Sequence, residues 1–170
     1  LVYGLYSQTG NSAVVSGTTS ESSIVGPGLG TLTVSANTFN VGDSFIVRVI
    51  GPLSSRNNDT LTVKVKSGSV VLATTGAITM PSVSNKTFML DCNFVIRATG
   101  GTGNAILVSG GYFQYTKDAS NSYEGANFNT VNNTTFDTTI TNTLDITAQW
   151  NSTNSQNVIY SDFLLLRKTY

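Results

Sequence analysis

The 170 residues include no histidine, one cysteine and nine carboxylates, so few side chains could move a proton or attack a substrate near neutral pH. Asp91 and Asp145 are the carboxylates placed inside strongly alternating segments, Phe88-Met89-Leu90-Asp91-Cys92-Asn93-Phe94-Val95-Ile96 and Leu144-Asp145-Ile146-Thr147-Ala148-Gln149-Trp150. Two carboxylates on facing strands are the equipment of glycoside hydrolysis. Each of these, however, lies opposite an apolar stripe, the side of a strand that normally meets water. The expectation is two solvated carboxylates, not an acid–base pair. Cys92 is in phase with Phe88, Leu90, Phe94 and Ile96 and reads as a small buried hydrophobe, since a thiolate nucleophile needs a base beside it. Neither Ser-x-x-Lys nor Gly-x-Ser-x-Gly occurs.

Gly100-Gly101-Thr102-Gly103-Asn104 opens no helix and is not followed by Lys-Ser/Thr, so it reads as a hairpin turn and not a phosphate loop. Asp118-Ala119-Ser120-Asn121-Ser122-Tyr123-Glu124 offers oxygen donors that calcium accepts, but lacks the alternating ligands and central glycine of an EF-hand. One cysteine and no histidine supply no soft or imidazole ligand set. The expectations are no catalytic residue, no metal, no cofactor and no enzyme.

The elements around these residues are extended. Leu61, Val63 and Val65 alternate with Thr60, Thr62, Lys64 and Lys66; Leu144, Ile146, Ala148 and Trp150 alternate with Thr143, Asp145, Thr147 and Gln149. Both patterns have the period of a half-buried strand. Val158 to Lys168 carries apolar groups on both sides at Phe163, Leu164, Leu165 and Leu166, which fits a strand covered on both faces or one at a subunit contact. Weaker strands are expected at Val2–Gln8, Ala13–Ser16, Gly30–Ser35, Ser44–Ile50, Ser69–Thr74, Ala105–Thr116 and Phe128–Thr135. Turns at Gly26-Pro27-Gly28, Val41-Gly42-Asp43, Ser54 to Asp59 and Asp118 to Ala126 separate them. No window has helical spacing with helix-forming residues between. The reading is one all-β domain over residues 1–170, a jelly-roll sandwich of about ten strands, with the two terminal strands paired.

Charged residues make up only 11% of the chain, less than half of the roughly 25% usual in soluble domains; Thr, Ser and Asn supply the polarity instead. The formal net charge of zero leaves no field to draw in nucleic acid or an anionic membrane, and no repulsion to keep copies apart. No apolar run approaches the roughly 20 residues of a membrane helix. The start at Leu1, with no methionine or signal segment, suggests a piece of something longer.

Tyr112, Tyr115, Tyr123 and Trp150 are the aromatic candidates for a sugar platform. Trp150 shares a face with Leu144 and Ile146 and is expected in the core. Tyr123 sits among polar residues, and with Asp118, Asn121, Glu124 and Asn127 it forms the candidate contact patch.

Gly30 to Phe45, Val131 to Trp150 and Ile159-Tyr160-Ser161-Asp162-Phe163 together resemble the C-terminal head domains of fibre-like structural proteins in large DNA viruses and tailed phages. The most distinctive stretch is Val131-Asn132-Asn133-Thr134-Thr135-Phe136-Asp137-Thr138-Thr139. The resemblance covers about Gly30 to Tyr170; residues 1–29 match less well and are expected to be a lead-in from a shaft plus a first strand. It implies a trimeric jelly roll similar in outline to the C1q and tumour necrosis factor family. Tyr160, Phe163, Leu165 and Tyr170 would suit the seam between subunits. It further implies a knob at the virion surface that binds a host receptor or glycan, or holds neighbouring virion proteins together. A lectin-like carbohydrate-binding module is the alternative.

Overall fold

The computed structural model describes residues 3–117 and 122–170. Those residues form fourteen strands and no helix: β1 (Tyr3–Gln8), β2 (Val15–Ser16), β3 (Ser22–Ser23), β4 (Gly28–Gly30), β5 (Thr33–Val34), β6 (Ser44–Ser55), β7 (Thr60–Ser67), β8 (Val70–Thr79), β9 (Val83–Ala98), β10 (Ile106–Thr116), β11 (Tyr123–Asn132), β12 (Asn142–Trp150), β13 (Val158–Ile159) and β14 (Phe163–Lys168). One sheet runs β11-β10-β9-β6-β14-β1-β4, with β13 on β6 and β2 on β13; the other runs β3-β12-β7-β8, with β5 on β12. All the pairings are antiparallel, and the two sheets form a sandwich. Of β1, β3, β6, β7, β8, β9, β12 and β14 in chain order, the first, eighth, third and sixth stand side by side in one sheet. The second, seventh, fourth and fifth do so in the other.

Alternation positions the core. β7 reads intermediate-buried throughout its length, with Leu61, Val63 and Val65 at most 1% exposed, and opposite them on β12 stand Trp150, Ala148 and Ile146. Burying such side chains is the main favourable term in folding. Trp150 lies in the core as expected and donates its Nε1–H to Val15 O at 3.3 Å. Phe88 and Phe113 stack at 5.6 Å between centroids beneath β9 and β10. Cys92 is fully buried, and burial pushes its thiol pKa up, so it is a poor nucleophile. The termini pair as expected, Tyr3 opposite Lys168 and Ser7 opposite Leu165. Residues 3–30 contribute strands to both sheets and Tyr6, Val15 and Ile24 to the core.

Several expected boundaries shift. The extended run expected at Gly30–Ser35 is split: β4 pairs with β1 in the larger sheet and β5 with β12 in the smaller, with Gly30 turning at φ +96°. Val158 to Lys168 is two strands, because the chain breaks at Tyr160–Asp162 to satisfy Ser161. The Ser161 N–H donates to Ser12 Oγ (2.9 Å) and its Oγ–H to Ile24 O (2.6 Å), both inside the protein. β14 is central in its sheet, with Leu164 and Leu166 turned to the core and Phe163 and Leu165 on the outer face. β11 begins at Tyr123 and ends at Asn132, earlier at both ends than the expected Phe128–Thr135. Its end is fixed by Asn132, whose Oδ1 accepts from the N–H groups of Thr134, Thr135 and Phe136.

Candidate functional site

β10 and β11 form a hairpin that extends the larger sheet beyond β9, and their register sets the site. Tyr112 lies opposite Asn127, Gln114 opposite Gly125 and Thr116 opposite Tyr123, while on the other side Gln114 faces Met89 and Tyr112 faces Asp91. Residues two apart share a face, so Tyr112, Gln114, Tyr123, Gly125 and Asn127 converge on the outer surface of the sheet. They line a depression of about 220 Å³. A second, of about 210 Å³, adjoins it across Tyr123 and Gln114 and is bounded by Thr87, Met89 and Thr116. Tyr123 separates the two lobes and is 65% exposed. Gly125 keeps the strands close: a Cβ there would run into the Phe113 carbonyl oxygen. The Tyr112 hydroxyl donates to Met89 Sδ at 3.6 Å, which fixes the ring.

Of the patch expected in a loop, the described residues Tyr123, Glu124 and Asn127 are strand. Tyr123 and Asn127 share the outer face, but Glu124 points the other way, accepting from the buried Tyr115 hydroxyl at 2.9 Å and pairing with Lys117 Nζ at 2.7 Å. Burial and the hydrogen bond to Glu124 push the Tyr115 pKa up. Asp118 and Asn121 lie outside the described residues. The expected turn over Asp118 to Ala126 gives way to strand from Tyr123 onward, because Gly125 favours turns whereas ten consecutive pairings with β10 decide the conformation here. Gln114 and Gly125 were missed as site residues. Their signal is the period-two pattern Tyr112-x-Gln114 and Tyr123-x-Gly125-x-Asn127, and it is readable only once the hairpin register is known.

The carboxylates do not form a pair. Asp91 lies on the outer face of the larger sheet and Asp145 on the smaller sheet, where it accepts from Ser23 Oγ at 2.5 Å. Asp91 is not the solvated group expected. It is 7% exposed, because Arg48 Nε (2.9 Å) and Nη2 (2.5 Å) both donate to its Oδ2. This charge-assisted fork covers it. Lys64 and Lys66, on the polar side of β7, are likewise engaged, by Glu21 at 2.6 and 2.7 Å.

On the outer face of the larger sheet, four strands from β11, Phe163 lies opposite Ile50 and Leu165 opposite Arg48. With Ile46 they form an apolar strip flanked by Arg48 and Arg167. The structure brings together two of the four expected seam residues. Tyr160 precedes β14 and is half-buried, whereas Tyr170 lies past its other end, 80% exposed beside Gly42.

A ring face open to solvent, flanked by two side-chain amides on rigid strands, can stack on the apolar face of a sugar and hydrogen-bond its hydroxyls. Among the described residues no group of three or more His, Cys, Asp or Glu could hold a metal. No protein-family model, curated protein or solved structure matches the chain.

Proposed function

We propose that this chain is the head domain of a fibre-like virion structural protein, assembling as a trimer and attaching to a host-cell glycan or receptor. The observation that carries the reading is the two-lobed depression around Tyr123, where tyrosines and amides converge on one rigid sheet face. The strand order supports it further. Eight of the fourteen strands, taken in chain order, stand first-eighth-third-sixth in one sheet and second-seventh-fourth-fifth in the other, an order that supports the jelly roll that the sequence resemblance to viral and phage heads implies.

The larger sheet offers two surfaces for two tasks. Its β6 and β14 half carries Phe163 exposed and Leu165, Ile46 and Ile50 half-buried, an apolar strip suited to a second copy. Its β10 and β11 half carries the tyrosines. Neighbouring strands are about 4.8 Å apart, so β14 and β11 are separated by roughly 19 Å. One half can close against copies while the other stays open. A trimer then presents three weak sites together, and attachment gains from avidity.

A glycan array probed with the fluorescently labelled protein and with Tyr123→Ala tests the attachment reading. A defined set of glycans bound by the wild type, and lost by about tenfold or more in the variant, is expected. Blank arrays together with no binding to host cells would favour a purely architectural virion protein.

A further inference from the structure

The two sheets part at the end of the sandwich where β6 begins and β14 finishes. There the segment from Thr31 to Asp43 crosses between them and lowers Leu32, Val34 and Phe39, each half-buried, into the gap. It is tied on both sides: Leu144 N–H donates to Leu32 O at 2.9 Å, and Gly42 N–H to Ile96 O at 2.8 Å. Beneath it lies an apolar cavity of about 60 Å³, walled in part by Phe39, Phe45, Phe136, Leu72 and Leu144. Phe39 meets Phe45 and Phe136 edge-on at 6.0 and 5.9 Å. A second lobe of about 260 Å³ shares Leu32, Val34, Phe45 and Leu166 with the first and reaches the surface beside Leu5. Its rim carries Thr31, Thr33, Ser35 and Thr38 and the ion pair of Lys168 Nζ with Asp43 Oδ1 at 2.6 Å.

We propose that these two lobes form a binding site for a small uncharged amphiphile, with a short hydrocarbon tail inside and a hydroxyl or ester head at the threonine rim. The tail follows from the walls. Protein cores are close-packed, and a gap forfeits dispersion contacts that a hydrocarbon restores. An apolar cavity of about 150 Å³ holds benzene, so the inner lobe takes the last few carbons and the outer lobe the rest. The head follows from the charges. Lys168 and Asp43 neutralise each other at the mouth, so a charged head of either sign gains a partner only by breaking that ion pair. A neutral head instead finds hydroxyl groups that both donate and accept.

Methyl NMR of the intact protein titrated with 1-hexanol, hexanoate and hexylamine tests this. 1-Hexanol is expected to shift the methyls of Leu32, Val34 and Leu144 saturably, with both charged counterparts binding about tenfold or more weakly. Val34→Trp, at the wall that the two lobes share, is expected to abolish the shifts; if that variant does not fold, Leu32→Phe at the same wall serves instead. Absence of saturable shifts, shifts that persist in the folded filled variant, or equal binding of hexanoate or hexylamine would overturn the proposal.

Discussion

Glu21 organises the outer face of the smaller sheet. Its carboxylate takes Lys64 and Lys66 on neighbouring turns of the β7 pleat and accepts from Thr147 Oγ1 at 2.9 Å. Hydrogen bonds from Lys64 and then Lys66 hold its pKa at about 2, against an ordinary value of 4.5. A carboxylate whose folded pKa is depressed contributes stability fully above the unfolded value and loses it as pH falls through the folded one. Solvent screening of this 24%-exposed side chain reduces the gain to about 1–2 kcal/mol. Glu21→Gln is therefore expected to cost that much in urea melts at pH 7, with the two proteins converging between pH 4.5 and 2. Ser109 is the opposite case. Its hydroxyl is fully buried on β10 without a hydrogen-bond partner among the described residues, so Ser109→Ala is expected to raise stability by about 0.5–1 kcal/mol in the same melts. Residue-scale chemistry was legible where it depended on phase: Cys92 and Trp150 lie where alternation puts them. It was illegible where it depended on a remote partner. Asp91 is covered by Arg48, 43 residues earlier in sequence, and no local spacing announces that contact.

The hairpin of β10 and β11 carries the proposed binding surface, and its weakest point is Gly125. At φ +159° its backbone lies at the edge of the region that L side chains rarely adopt, and space is lacking as well: a side chain would meet the Phe113 carbonyl. Gly125→Val is expected to open the hairpin locally, with faster amide hydrogen exchange in β10 and β11 and little change in β7 and β12. Unchanged exchange in the hairpin would show that the close approach is not essential. Strands whose two faces differ sharply, β7 and β12, could be read from sequence almost to the residue. β11 could not, since three of its five outer positions are Gly125, Asn127 and Asn129 and its conformation is imposed by pairing with β10. The break between β13 and β14 was equally hidden, because Ser161 finds its partners 149 and 137 residues away at Ser12 and Ile24.

At the scale of the molecule, terminal pairing and the all-β sandwich were readable because both ends are strongly strand-forming and no helical period competes. The division of the larger sheet into two outer surfaces was not, since it depends on strand order. With no net charge to hold copies apart, the apolar strip at Phe163 and Leu165 is expected to close against another subunit. Placing a charge there should undo this: Leu165→Glu is expected to run as a monomer of 18.0 kDa in light scattering while keeping its fold by circular dichroism. Hydroxyl-radical footprinting of the assembled protein against that monomer tests the central claim most directly. The expected result is protection of Phe163 and Leu165's neighbours Ile46 and Ile50 in the assembly, with Tyr112 and Tyr123 equally reactive in both. Protection of Tyr123 on assembly, with Phe163 left reactive, would contradict it.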